Sequence, residues 1–399
     1  MRKLSANYIF PVTSKPLKNG ILVIDDYGKI IELIDTNGEL KETANLEFYN
    51  GILVPGFINT HCHIELSFFK GEINKHKGLT DFIKDVVKKR EILKNEKSIE
   101  NADKEMMNNG IVAVGDISND DTSIQVKKKS KIKYYNFIEV LGLENELDEK
   151  IFDEAQILYN KFKNEIEQQV SIVPHAPYSV SKKLFELIKK NKIYNNGVIS
   201  IHNQESVEEN KLFLKGDGKL YDLFQDMNIK ISDIGKTGKS SLISIFNRLT
   251  YNTNILLVHN ICTSIKDVEF VKEYIDKNKS SNLFWVICPK SNLYIENKLP
   301  DIQMFLNHKL NITIGTDSLA SNNSLSVLEE IKTVIKYFPE ISFSEILKWA
   351  TINGAKALNF DNDLGSFDIG KTPGVNLISN FDFVNMNIKQ NSHIKPLLK

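Results

Sequence analysis

Five of the eight histidines follow short apolar runs, at positions where their imidazole rings could act together. His61, His175, His202 and His259 each lie at or just after the end of such a run, and His63 follows His61 after one residue. A single histidine of this kind is most often a structural residue whose ring nitrogens are satisfied by neighbours. Five are difficult to explain by packing alone, because every buried imidazole needs hydrogen-bond partners. The pattern predicts one site that uses several imidazoles.

The first two of these histidines flank Cys62 in a His-x-His motif. Side chains alternate along a β-strand, so we expect His61 and His63 to share one face and Cys62 to point the other way. Two imidazoles on one face suit a borderline divalent ion such as Zn²⁺ or Fe²⁺. Cys62 could instead be a thiolate ligand or a nucleophile, but its expected direction favours a buried thiol.

Carboxylates follow two of the other runs. Glu205 comes three residues after His202, so the imidazole could complete a metal shell while the carboxylate faces a substrate. A glutamate in the first turn of a surface helix would also be ordinary at this position. Asp317 ends the last apolar run, where its carboxylate could bind a metal and accept a proton from water.

The elements that must position these residues are short apolar runs alternating with amphipathic stretches. Such runs predict parallel strands that are buried on both faces. Eight strands are the number that closes a (β/α)₈ barrel, whose active sites lie at the carboxyl ends of the strands. An open doubly wound sheet is the alternative, but it does not require eight. The runs are residues 52–59, 111–117, 134–142, 170–177, 198–203, 254–260, 283–289 and 312–317.

Both ends of the chain carry β patterns instead. Residues 20–24 and 29–34 flank a turn signal that ends in Gly28, which predicts a hairpin. We predict that residues 1–54 and 361–399 form one composite β-sandwich domain beside the barrel.

We assign residues 55–360 to the (β/α)₈ barrel. The connection 216–250 is long for a barrel, so we expect it to hold a helix or lid beside the site.

The composition excludes several classes of protein. Lys plus Arg and Asp plus Glu both number 51, so no net positive charge attracts nucleic acid. The lysines of the run 127–129 are interpreted as solvated. No run approaches the about 20 apolar residues of a membrane helix, and no signal peptide is recognised. Three scattered cysteines do not indicate disulfides. We expect a cytoplasmic protein with a small-molecule substrate and no nucleic-acid or membrane partner; a homodimer stays open.

Taken together, the motifs resemble the amidohydrolase superfamily, in particular its single-metal branch of adenosine, guanine and S-adenosylhomocysteine deaminases and chlorohydrolases. The resemblance covers essentially the whole chain. The motifs that carry it are PGFINTHCH (55–63), PHAPYSVS (174–181), HNQE (202–205), LVHN (257–260), CPKSNLYI (288–295), IGTDSLASNNSLSVLEEI (314–331) and ATINGAKALN (350–359).

The resemblance implies that His61, His63, His202 and Asp317 bind one divalent metal ion, with Zn²⁺ favoured over Fe²⁺. Binuclear relatives place a carboxylated lysine at the end of the fourth strand, whereas here that strand ends in the sequence VPHAP (173–177). One metal is therefore expected.

A mechanism follows from this assignment. The metal would activate water, and Asp317 would accept its proton while His259 orients the oxygen. Glu205, in its protonated form, would donate a proton to a ring nitrogen, and ammonia would leave.

The substrate is predicted to be an aminopurine nucleoside or a similar molecule. The pattern His-x-His-x-Glu-x-Ser, with a helix ending near Arg90, resembles aminodeoxyfutalosine deaminases. Residues 61, 63 and 65 would share a face if the strand stays extended, so Glu65 would meet the substrate. An ion pair of Glu65 with Lys70 or Arg90 is the alternative. The expected substrate contacts are His175, Glu65, Ser67, Ser318 and Asn292.

Two other functions remain open at this point. The same metal site could hydrolyse an amide or remove chloride, because the nucleophile would be identical. A scaffold without catalysis is the third hypothesis, and the intact set of ligands together with Glu205 argues against it.

Overall fold

The computed structural model describes residues 1–93, 95–144, 146–166, 168–191, 197–229, 236–249, 253–278 and 281–398. Its strands are β1 (Arg2–Ile9), β2 (Leu17–Lys18), β3 (Ile21–Ile24), β4 (Ile30–Ile34), β5 (Leu46–Pro55), β6 (Phe57–Cys62), β7 (Ile111–Ser118), β8 (Lys133–Val140), β9 (Gln169–Pro174), β10 (Val198–Asn203), β11 (Asn254–His259), β12 (Asn282–Ile287), β13 (Asn311–Ile314), β14 (Val375–Asp382) and β15 (Asn387–Leu398).

The α-helices are α1 (Leu79–Leu93), α2 (Glu96–Asn108), α3 (Ile124–Lys129), α4 (Asp148–Glu165), α5 (Lys182–Lys190), α6 (Val207–Lys215), α7 (Lys219–Asp226), α8 (Ser241–Ile245), α9 (Ile265–Asn278), α10 (Pro289–Ile295), α11 (Ile302–Asn307), α12 (Val327–Tyr337), α13 (Phe343–Trp349) and α14 (Ile352–Ala357). Short 3₁₀ turns cover Ile64–Phe69 and Phe246–Arg248. Within the described ranges, no helix combines the length and the apolar composition needed to cross a bilayer.

Eight parallel strands, β6 to β13, form the predicted barrel. Hydrogen bonds join β6 to β9 in one group of four and β10 to β13 in another. Where the groups meet, the backbone N–H of His202 donates to the carbonyl of His175 at 2.9 Å. On the opposite side, the backbone N–H of Asp317 donates to the carbonyl of His61 at 3.0 Å. Residues of the predicted site thus form both junctions that close the barrel, and the predicted fold class is confirmed.

Strands from both ends of the chain form one hydrogen-bonded sheet. Its order is β15-β14-β5-β1-β3-β4, and β2 pairs with β1. The predicted hairpin is present as the antiparallel pair β3 and β4. β5 lies in the middle of this sheet and is followed, after Gly56, by the first barrel strand. The exact boundaries of the composite domain stay a prediction.

Apolar side chains bury both faces of the barrel wall. Every residue of β10 is buried, as expected for a parallel strand covered on both sides. One apolar cluster includes Cys62 and Met106 of α2, so the thiol packs with the helical layer. Another cluster includes Ile58, Phe137 and Val286 and joins strands from both halves of the barrel.

The long connection between β10 and β11 carries the expected helix beside the site. α7 lies in it, and its Leu223 and Phe224 are buried and line the cavity described below. Residues 230–235 and 250 of the predicted segment lie outside the described residues.

Candidate active site

The four predicted metal ligands meet at the carboxyl ends of their strands, and all four are buried. The Nε2 atoms of His61 and His202 lie 3.2 and 3.3 Å from the Nε2 atom of His63. The Oδ1 atom of Asp317 lies 3.8 Å from Nε2 of His61 and 3.7 Å from Nε2 of His63. Three imidazole nitrogens therefore converge on one point, and one carboxylate oxygen lies beside two of them.

The spacing and protonation of these nitrogens fit a metal ion. Burial, together with the neighbouring histidines, lowers the pKa of His61 well below its usual value, and burial lowers the pKa of His63 to about 3. The Nδ1–H of His202 donates to the carbonyl of His175 at 2.9 Å, which leaves a lone pair on Nε2. Tetrahedral zinc with bonds of about 2.0–2.1 Å would separate its nitrogen ligands by about 3.3 Å, close to the distances above.

Asp317 is held so that one oxygen faces the histidines. The hydroxyls of Ser291 and Ser321 donate to Oδ2 at 2.6 and 2.7 Å, which leaves Oδ1 for the site. Burial opposes ionisation, but the neighbouring His63 and His259 and the two hydroxyls hold the pKa of Asp317 below its ordinary value. The carboxylate is thus available both as a ligand and as a proton acceptor.

The backbone is strained where the strands end at the site. Gln204, His259 and Asp317 have φ angles of 48°, 79° and 57°, in a region that residues other than glycine rarely adopt. Such strain persists only where the surroundings fix the conformation, and it concentrates at functional sites. Here the carboxylate of Glu209 accepts the backbone N–H groups of Gln204 and Glu205 at 3.0 and 3.2 Å.

Glu205 and His259 face one another beside the ligands. The Oε1 atom of Glu205 lies 3.6 Å from Nε2 of His259. The amide of Asn292 lies 3.0 Å from Nδ1 of His259, and with this amide as the donor the ring proton is on Nε2. Burial, reinforced by the charges of Asp317 and Glu209, raises the pKa of Glu205 well above its usual value. A positioned carboxyl whose pKa is raised in this way is suited to donate a proton to a substrate.

A cavity of 460 Å³ opens onto this constellation. His63, His202, Glu205, His259 and Asp317 lie at its polar end. Its other walls are mainly apolar and come from α1, from the segment between β8 and α4 with the start of α4, and from α7 with the residues that follow it. The apolar side chains are Leu79, Phe82, Ile83, Val86 and Val87; Leu141, Leu143, Leu147 and Ile151; and Leu223, Phe224, Met227 and Ile229.

Two of the five predicted substrate contacts, His175 and Ser318, line this cavity. Ser67 and Asn292 are buried and do not line it, and Asn292 instead contacts His259.

Glu65 also lies away from the cavity, contrary to the geometry that we expected. Its carboxylate accepts the backbone N–H groups of Asn119 and Asp120 at 2.9 and 3.3 Å and the hydroxyl of Ser123 at 3.1 Å. The reason is that β6 ends at Cys62 and a 3₁₀ turn begins at Ile64, so the two-residue alternation stops before residue 65. Glu65 therefore anchors the loop after β7.

The ion pairs considered for Glu65 are absent from the described residues as well. Lys70 pairs instead with Glu105, at 3.1 Å. Arg90 lines the cavity instead.

Sequence reasoning missed Glu139, which lines the cavity from the end of β8. Its Oε2 accepts the side-chain N–H of Asn119 at 3.0 Å, and its Oε1 lies 3.7 Å from Nδ1 of His202. Burial raises the pKa of Glu139. A charged residue near the end of an otherwise apolar barrel strand was the available signal.

Comparisons with known proteins identify the family of this chain. The sequence model of the amidohydrolase family matches residues 52–391. An adenosine deaminase of Helicobacter pylori is 28% identical over 355 residues, which cover 85% of this chain and 84% of that protein. A 5′-deoxyadenosine deaminase of Methanococcus vannielii is 28% identical over 353 residues, covering 85% of this chain and 77% of that protein.

Among solved structures, Helicobacter pylori aminofutalosine deaminase in complex with methylthio-coformycin superposes with a TM-score of 0.81. The match covers 96% of this chain and 93% of that chain at 23% identity. At this level of identity the similarity shows a shared fold.

Replacing His63 should remove the metal. We expect His63→Ala to weaken metal binding by more than the about 10- to 100-fold that is typical of changes outside the ligand shell. Elemental analysis after dialysis measures this. His308→Ala is the matched control, because this histidine lies at the end of α11 and does not line the cavity described above, and it should keep one metal ion per chain. A variant at His63 that retains the ion would contradict the ligand assignment.

Glu65→Leu should lower stability and leave substrate binding unchanged. Leucine leaves the backbone N–H groups of Asn119 and Asp120 without their acceptor, which costs about 1–3 kcal/mol of the free energy of unfolding when a buried group loses its partner. Urea unfolding measures the loss, with Glu154→Leu on the exposed surface of α4 as the control. A higher KM together with unchanged stability would instead indicate that Glu65 contacts the substrate.

Proposed function

Because the chain belongs to the amidohydrolase family, we propose that it is a hydrolytic deaminase that uses one divalent metal ion to release ammonia from an aminopurine nucleoside or a similar molecule. The observation that carries this proposal is the convergence of three imidazole nitrogens and a carboxylate beside Glu205 and His259. Zn²⁺ is the ion that this set of nitrogen and oxygen donors suits best, with Fe²⁺ as the alternative.

The bound cation would supply Lewis acidity, which makes water a nucleophile at neutral pH. The residues of the chain accept and donate the protons and orient the water. Asp317 has one oxygen fixed by two serine hydroxyls and the other turned to the site, so it accepts the proton of the attacking water. His259, oriented by Asn292, keeps that water in line with the substrate carbon.

Glu205 completes the reaction from the substrate side. Its carboxyl lines the cavity, and Glu209 fixes its backbone N–H. A protonated Glu205 donates to the ring nitrogen next to the carbon that bears the amine, which makes that carbon electrophilic. The proton that Asp317 has accepted then leaves with the amine as ammonia. The hydroxyl of the adduct passes its remaining proton to Glu205 as the C=O bond forms, which restores the protonated carboxyl. General acid and base steps of this kind contribute about 10²- to 10⁴-fold each.

The walls of the cavity favour a substrate with an apolar substituent. A free purine or pyrimidine base would fill the polar end only, and the apolar side chains of α1 and α7 would stay in contact with water. Val87 and Met227 at this end are 58% and 43% exposed, so an apolar group placed there removes further surface from water. We propose an aminopurine nucleoside that carries an apolar group on its sugar. The names of the similar proteins, an adenosine deaminase and a 5′-deoxyadenosine deaminase, agree with an adenine nucleoside, and the second agrees with an apolar 5′ group.

A panel of adenine nucleosides that differ only at the 5′ carbon tests the substrate class. We expect kcat/KM for ammonia release to rise from adenosine to 5′-deoxyadenosine and further with a 5′-alkylthio group, and to be lowest for free adenine. Val87→Ser, at a side chain that lines the cavity and is 58% exposed, should reduce this preference for apolar groups with little loss of stability. Release of chloride from a chlorinated heterocycle without ammonia from any nucleoside would contradict deamination.

Glu205→Gln should leave the metal in place and lower kcat by about 10²- to 10⁴-fold, because the amide cannot transfer the proton. Metal content and turnover are measured on the same preparation. Glu208→Gln is the matched control: its carboxylate pairs with Lys211 at 2.7 Å and does not line the cavity. Loss of the metal together with the carboxylate would show that Glu205 is a ligand.

A further inference from the structure

Lys127 is fully buried, although the sequence places it in a run of lysines that we expected to be solvated. Its side chain is 0% exposed, and its Nζ atom lies 2.6 Å from Oδ2 of Asp116, which is also 0% exposed. Nζ donates to the hydroxyl of Ser118 at 2.9 Å. The rings of Tyr134 and Phe162 complete its surroundings, with centroids 5.3 and 5.1 Å from Nζ.

A buried ion pair of this kind is weak evidence for stability. Moving both charges out of water costs free energy that their attraction only partly returns, and apolar replacements of similar size are often no less stable. Such a pair can instead fix the positions of its charged groups.

The other oxygen of this carboxylate accepts a hydrogen bond from the backbone next to a proposed metal ligand. Oδ1 of Asp116 accepts the backbone N–H of Ile64 at 2.9 Å. Ile64 follows His63, at the point where the chain leaves β6 and enters the 3₁₀ turn. His63 has φ −124° and ψ 79°, and its side chain makes no capping hydrogen bond at the start of this turn. The hydrogen bond to Asp116 thus holds the peptide on the carboxyl side of His63.

We propose that Asp116 is a positioning residue for the metal site and that Lys127 is the counter-charge that keeps its carboxylate buried. Asp116 fixes the peptide after His63 and so fixes the direction of the His63 imidazole toward His61 and His202. Lys127 neutralises the carboxylate in the apolar layer between the strands and helices. This inference rests on the ligand set of the proposed function.

Two double variants separate the hydrogen bond from the charges. K127M/D116N removes both charges and keeps a carbonyl oxygen that can accept the N–H of Ile64. K127M/D116L removes both charges and the acceptor, with a side chain of similar size. K127M/D116A repeats the second test without the larger side chain.

The readout is Co²⁺ binding to metal-free protein, followed by visible absorption, which reports the geometry of the ligands around cobalt. We expect K127M/D116N to bind Co²⁺ nearly as wild type does. The variants without an acceptor should bind it about 10- to 100-fold more weakly, the range seen when groups that orient metal ligands are changed. Their absorption spectra should change as well, because His63 is no longer held in one direction.

Urea unfolding of each metal-free variant separates positioning from stability. Asp267→Leu is the control, because this buried carboxylate accepts the N–H and hydroxyl of Ser264 at the start of α9 and contacts no metal ligand. It should lose stability and keep its affinity for Co²⁺. Equal affinity in the three double variants, or a loss of affinity in Asp267→Leu of the same size, would overturn the inference.

The failure of the proposed function would look different. Wild-type protein that binds no Co²⁺, or binds it equally after His63→Ala, would contradict the ligand set itself. Wild-type binding that depends on His63 but not on Asp116 would contradict only the positioning role.

Discussion

In a buried site, the Nε2 atoms of His61 and His202 lie 3.2 and 3.3 Å from Nε2 of His63. Nitrogen lone pairs this close repel one another unless a cation or a proton lies between them. Burial keeps the rings neutral, so their lone pairs face one another, and the carboxylate of Asp317 adds negative charge beside them. The barrel closes through the same residues, at His61 with Asp317 and at His175 with His202. The same residues therefore form the proposed metal site and close the barrel, so an ion bound there would stabilise the fold as well as activate water.

Around the proposed ligands, a second layer of hydrogen bonds holds groups at the ends of three barrel strands. Asp116 holds the N–H of Ile64, Glu209 holds those of Gln204 and Glu205, and Ser291 holds the carboxylate of Asp317. These contacts come from neighbouring strands and helices of the barrel. Two of the residues with strained φ angles, Gln204 and Asp317, are thus held by groups that belong to another element.

The two ends of the cavity are different physical environments. At its polar end the ionisable groups are buried, which shifts their pKa values and prepares them for proton transfer. At the other end, apolar side chains of α1 and α7 surround space that a heterocyclic base alone would leave empty. In the proposed function, reaction and selectivity thus depend on different parts of the chain.

The sequence by itself determined the fold class, the family and the convergence of the ligands, because parallel barrel strands must bring their carboxyl ends to one face. Eight apolar runs and the residues that follow them were sufficient to place His61, His63, His202 and Asp317 together. Their roles, like those of Glu205 and His259, remain proposals that the geometry supports.

Only the tertiary structure decided where side chains beyond the strand ends point. The alternation that placed His61 and His63 on one face stops when β6 gives way to a 3₁₀ turn, so Glu65 turns to the loop after β7. The sequence predicts that Lys127 is solvated. It is buried instead beside Asp116, which belongs to another element and places a carboxylate oxygen 2.6 Å from Nζ. Periodicity reports direction within a regular element, whereas a turn or a buried ion pair depends on which elements meet in space.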